Sequence, residues 1–141
     1  MIDIRKKVTR IVACFTMILI FANVITPIVA ARASNFISAT SANISAGNNG
    51  NVTVSFSITG TGTMTEIGAT RIELRENGTL VATYLPASTS GMMGSKKALH
   101  SGTVTYKGVA GRTYRATVSL RASNSNGADS RVIQTASIIA R

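Results

Sequence analysis

Nine consecutive residues, Asn51–Thr59, alternate without a break between apolar and small polar side chains. Val52, Val54, Phe56 and Ile58 fall on one side, and Thr53, Ser55 and Ser57 on the other. Successive side chains of a strand point to opposite faces, so this spacing fits a half-buried strand and no helix. The pattern returns in Thr113–Ala122, where Tyr114, Ala116, Val118 and Leu120 alternate with Arg115, Thr117, Ser119 and Arg121. No segment beyond residue 33 carries convincing helical periodicity, and there is no internal repeat. An all-β fold is therefore the starting constraint.

Shorter segments complete the set. Thr70–Arg75 places Ile72 and Leu74 inward and Arg71, Glu73 and Arg75 outward. Asn77-Gly78 tolerates the positive φ angles of a tight hairpin, and Leu80–Tyr84 returns as its partner until Pro86 stops it. Thr103–Lys107 and Arg131–Ile139 read as further strands, and Ile37–Ile44 as a weaker first one. The loop Ala87–Lys97 and the turn Ser123–Asp129 separate them. Seven short strands joined by turns indicate a β-sandwich. Gly111-Arg112-Thr113-Tyr114 resembles the tyrosine corner of immunoglobulin-like and fibronectin type III domains, in which the phenol bonds backbone upstream of its strand. The expected fold is thus a seven-stranded immunoglobulin or fibronectin III-like β-sandwich preceded by a helical signal peptide.

That signal peptide occupies residues 1–33. Arg5, Lys6, Lys7 and Arg10 form a cationic head, Ile11–Ala22 is an uncharged apolar run, and Ala31-Arg32-Ala33 closes it with small residues. Cleavage is expected after Ala33, with Ala31 as the alternative site. An uncleaved anchor would need about 20 apolar residues, and here Asn23, Thr26 and Pro27 interrupt the second half of the run. Cys14 sits at the start of the apolar run, whereas a lipoprotein cysteine follows it, so Cys14 reads as apolar filler. Residues 34–50 hold the first strand and a linker, and residues 51–141 hold the rest of one domain.

Removing the signal leaves about 100 residues, enough for one core. It also leaves no cysteine, so neither disulfides nor a redox motif can staple the domain. Ten basic side chains face four acidic ones, a net charge of +6. A small basic exported domain tends to stay near anionic surfaces.

The stretch from Asn51 to Ile138 resembles a family of small exported domains of Gram-positive bacteria without an assigned function. The residues that carry the resemblance are Val52–Met64, Ile67-Gly68-Ala69, Met92–Lys96, His100–Tyr106 and Gly111-x-x-Tyr114. The resemblance implies an exported, immunoglobulin-like architecture and brings no catalytic residue with it.

Catalysis is poorly supported by the residues themselves. His100 is the single histidine, and a nucleophile–base pair needs a third group to orient the base. Four scattered acids suit neither a glycosidase cleft nor a zinc or calcium site. Gly60-Thr61-Gly62 is too short for a phosphate loop. No cofactor is expected. The matches to the N-glycosylation pattern at Asn43, Asn51 and Asn77 read as incidental. The residues point instead to a secreted, non-catalytic binding module, loosely held by anionic cell-wall or glycan polymers. A secreted antagonistic or membrane-active small protein is the alternative, and a hydrolase comes last. Contact with the membrane is expected only through the signal peptide before cleavage, and no nucleic acid is expected, since no aromatic residues interleave with the arginines.

Two surfaces are candidates for contact. Neighbouring strands would bring Arg71, Arg75, Arg115 and Arg121 onto one outer face, joined by Arg131, as a basic stripe. Most surface charge only solvates, and Glu73 would neutralise part of it. The second candidate is the loop around Met92, Met93, Lys96 and Lys97, whose methionines either form an adaptable contact or plug the open end of the core.

Overall fold

The computed structural model describes residues 34–141, so the expected signal peptide and its cleavage site lie outside the described residues. Seven strands form one curled antiparallel sheet: β1 (Ile37–Ala46), β2 (Asn51–Glu76), β3 (Thr79–Tyr84), β4 (Met93–Lys107), β5 (Thr113–Asn124), β6 (Gly127–Gln134) and β7 (Ile138–Ile139). Residues 34–141 belong to one compact unit with its own core.

The backbone of the arrangement is β2, 26 residues long. Its first part lies between β1 and β4: Val54 is opposite Ile44 on one side and Val104 on the other. Its last part lies between β3 and β5: Leu74 is opposite Ala82 and Ala116. Between them the alternation lapses at Gly60–Thr63, where β2 runs ahead of β4 in a large bulge between Thr59 and Met64. A bulge bends its strand and strengthens the local twist. Beyond it, residues 66–68 pair with β4 and β5 at once, so these two strands occupy opposite edges of β2.

The curl turns the apolar sides of both parts of β2 into one interior. Val52, Val54, Phe56 and Ile58 from the first part share a cluster with Ile67, Ile72 and Leu74 from the second, and with Tyr114, Val118 and Leu120 of β5. The rings of Tyr106 (β4) and Tyr114 (β5) meet at a centroid distance of 6.1 Å. The Tyr84 hydroxyl donates to the Thr105 carbonyl at 3.4 Å, linking β3 to β4.

Four expectations change. The strands expected at Asn51–Thr59 and Thr70–Arg75 are parts of one strand, because the bulge lets β2 bend without ending. Residues 93–97 of the expected loop belong to β4, where they pair with residues 64–68 of β2. The expected turn at Ser123–Asp129 shrinks to Ser125-Asn126, since Gly127, Ala128 and Asp129 already pair with β5. The expected last strand divides into β6 and β7. The hairpin at Asn77-Gly78 forms as expected, with φ of 48° and 87°.

A further backbone contact extends the pairing of the second part of β2 beyond the start of β4. The Ala69 N–H donates to the Met92 carbonyl at 2.8 Å. A Cβ on Gly68, whose φ is +153°, would lie 2.1 Å from that same carbonyl oxygen. Backbone faces backbone there, and no rotamer change can relieve a clash. Gly68→Ala is therefore expected to cost about 3 kcal/mol or more, through overpacking added to backbone strain. A urea unfolding curve that keeps the parent midpoint would contradict this account of the bend.

Candidate functional site

Arg71, Arg75, Arg115 and Arg121 lie on one outward face formed by β2 and β5. Register sets their spacing: Arg75 is directly opposite Arg115, Arg71 is opposite Ser119, and Arg121 is opposite Gly68. Arg71 and Arg121 are thus diagonal neighbours, and Arg75 and Arg115 direct ones. Glu73 lies between the two pairs. Its carboxylate is 3.5 Å from Arg71 Nη1 and 3.8 Å from Arg75 Nη2. These exposed ion pairs are worth little individually, but they place Glu73 between two bases of the stripe. Arg115 Nη1 donates at 3.4 Å to the neutral amide oxygen of Gln134 on β6.

Arg131 does not join them. It pairs with Leu120, a buried residue of β5, whereas the stripe shares its side with Ser119 and Arg121. Directly paired residues project to the same side, so Arg131 faces away from the stripe, on the side of Asp129. There it helps to hold the Asp129 carboxyl below its usual range, behind the larger effects of hydrogen bonds from the Ser34 hydroxyl and the Phe36 N–H. The place expected for Arg131 on the outer face of β6 belongs to Val132, which is 69% exposed.

The methionine loop divides as well. Met92 is 1% exposed and belongs to the core, which removes it from any contact surface. Met93 is half-buried opposite Gly68. Lys96 and Lys97 are exposed on β4, across β2 from β5 and its arginines. Lys96 has a φ of 54°. His100 Nε2 is 2.8 Å from the Gly91 carbonyl oxygen, so the ring nitrogen is the donor and ties the end of the loop to β4.

Near the stripe but facing inward, Glu76 is committed elsewhere. Arg112 Nη1 bonds one of its oxygens, and the Tyr114 hydroxyl donates to the other at 2.8 Å. The same hydroxyl accepts from the Val109 N–H at 2.8 Å, five residues upstream, as the tyrosine corner requires. The Arg112 and Tyr114 hydrogen bonds hold the Glu76 carboxyl below its usual range, and burial holds the Tyr114 phenol above its own.

The outward side of the other part of the curl is different. Ser45, Thr53 and Thr105 form one row across β1, β2 and β4; Asn43, Ser55 and Thr103 form the next, and Ser41, Ser57 and Ser101 a third. None is charged, and Lys107 lies at the end of the face, bonded to the Asn49 carbonyl.

Beside Arg75 and Arg115 lies an open depression of about 280 Å³, which the sequence did not reveal. Asn77, Gly78, Thr113, Tyr114, Gln134 and Ser137 complete its lining together with the two arginines. Asn77-Gly78 reads as a turn and Thr113-Tyr114 as the opening of a strand, and none of the lining residues beyond the arginines reads as a contact from sequence, since only the register and the return of the chain after β6 bring them together. Among the described residues there is no group of three or more His, Cys, Asp or Glu able to hold a metal ion, and no helix long and apolar enough to cross a membrane. No protein-family model matches the chain, and no curated protein or solved structure does.

Two measurements check this geometry. Met92→Ala is expected to lower stability by about 2–5 kcal/mol, the usual cost of emptying a core site. Met93→Ala should cost much less, and equal losses in urea unfolding would contradict the separate placement of the two side chains. Glu76 and Asp129 both have folded-state pKa values below their ordinary ones, so the fold favours their charged forms. Their contribution is present above the unfolded value of about 4 and is lost as pH falls through the lower folded values. Stability should therefore drop on acidification below about pH 4, and Glu76→Gln should be less stable than the parent at pH 6 and closer to it at pH 3. A constant gap between the two would show that Glu76 acts without its charge.

Proposed function

We propose that the chain is an exported, non-catalytic binding module that holds anionic cell-surface polymers, such as wall polymers or glycans, on the outer face of β2 and β5. The observation that carries this reading is the unequal sharing of charge between the two outward faces. One presents Arg71, Arg75, Arg115 and Arg121 with Glu66 and Glu73. The other presents rows of serine, threonine and asparagine. Charge scattered only for solubility has no reason to collect on one face. A concentrated positive field raises the local concentration of a polyanion and orients it.

Export is supported by the tripartite N-terminal sequence. The immunoglobulin or fibronectin III type is supported by the hydrogen bonds of Tyr114 and by the antiparallel pairing of all seven strands, and the resemblance to small exported domains of Gram-positive bacteria agrees with both. In this reading the product is released or loosely held at the cell wall, and charge rather than a covalent link retains it.

Retention on immobilised heparin, a model polyanion, provides the test. The paired reversal Arg115→Glu and Arg121→Glu should move elution of Ser34–Arg141 to distinctly lower salt, because screened surface charges supply the attraction. Reversing Lys96 and Lys97 instead should have the smaller effect. Elution of the arginine variant at the parental salt concentration, with its circular dichroism unchanged, would remove the stripe as the binding surface.

A further inference from the structure

Arg75 and Arg115 form a pairing that a sheet normally avoids. They are direct cross-strand partners, and like charges placed directly opposite each other are destabilising. The neighbouring acids do not remove the conflict. Glu73 reaches Arg75 only at 3.8 Å and reaches Arg71 more closely. Glu76 is turned inward and held by Arg112 and Tyr114. The remaining polar contacts of the pair are neutral: Arg75 Nη1 donates to the Gly78 carbonyl at 3.3 Å, and Arg115 Nη1 to Gln134 at 3.4 Å.

Both arginines line the same depression, and no carboxylate does. Of the other lining side chains, those of Asn77, Thr113, Gln134 and Ser137 can each donate a hydrogen bond, while the Tyr114 hydroxyl already donates to Glu76. The volume of about 280 Å³ lies just below the range of pockets for drug-sized ligands. It suits one compact group and not an extended sugar.

We infer that this depression is a subsite for a single tetrahedral oxyanion, a phosphate or sulfate ester carried on a polymer or present as the free ion. Two guanidinium groups supply planar donor forks that match oxyanion geometry, and the flanking amides and hydroxyls take up the remaining lone pairs. Binding relieves the repulsion between the arginines, so occupancy stabilises the fold as well as the complex. The subsite rests on the proposed function for its biological meaning, but its occupancy can be measured independently.

The experiment follows backbone and arginine side-chain NMR signals of Ser34–Arg141 during titration with inorganic phosphate, and separately sulfate, against chloride at matched ionic strength. Saturable shifts are expected at Arg75, Asn77, Thr113, Arg115 and Gln134, with a higher Tm in phosphate or sulfate than in chloride. Arg115→Gln should weaken binding at least about tenfold, the effect of losing one charge-assisted contact. In chloride alone its Tm should equal or exceed the parent's, because the repulsion is gone. Arg121→Gln should leave the shifts in place. Shifts that are non-saturable or spread equally over all the arginines, or an Arg115→Gln protein that is less stable in chloride, would overturn the subsite while leaving the heparin result untouched. Saturable shifts at the pair, with heparin retention indifferent to charge reversal at Arg115 and Arg121, would sink the polymer-binding stripe and leave the subsite standing. A response to phosphate and not to sulfate, or the reverse, would name the ester.

Discussion

The structure depends on β2 continuing through its own bend. A chain with no disulfide available after residue 33 must hold two parts of a curled sheet together by packing and backbone pairing. Here one strand supplies the centre of both. Gly60–Thr63 absorbs the change of direction, and the close approach of Gly68 to the Met92 carbonyl fixes where the second part begins. Neither part can lose its central strand without exposing the other's apolar side, so the two are expected to unfold as one unit. This limits exposure, because a partly open form would offer unpaired edges to proteases and to other chains.

The cluster at the other end of β2 shapes the surface indirectly. Tyr114 closes the turn after β4 by accepting from Val109, and with Arg112 it fixes Glu76 on the inner side. The carboxylate nearest in sequence to Arg75 is therefore unable to neutralise it. A hydrogen-bond arrangement that serves folding thus leaves two guanidinium groups side by side on the outside. Stability and surface chemistry are connected here through the two faces of a single strand pair.

Much of this was legible in the sequence. Alternation gave the inner residues of β2 and β5, Asn77-Gly78 gave the hairpin, and Gly111–Tyr114 gave the tyrosine corner, because each follows from local backbone geometry. Parity puts the four arginines on the outer sides of their strands, and the expected adjacency of those two strands puts them on one face. Arg131 was misplaced because parity within a strand does not set which side a new strand presents; that depends on the register of β6 with β5. The continuity of β2 was hidden for a related reason. Gly60-Thr61-Gly62 is locally indistinguishable from a turn, and only pairing with β1 and β4 shows that the strand continues. Nor could sequence choose between a buried and an exposed Met92, since both suit a flexible thioether. The depression beside Arg115 draws on residues from four separate segments and has no local signature.

The neutral rows on the other face have a consequence of their own. Ser41, Ser57 and Ser101, with the threonines and asparagine beside them, hydrate well and carry no charge. The molecule therefore has a surface dipole, and near any negatively charged boundary it experiences a torque that turns the guanidinium side inward. What then meets the surrounding medium is a hydroxyl-bearing coat whose hydration is insensitive to ionic strength. A layer of such molecules would mask the charge beneath it and present a wettable, non-adhesive exterior.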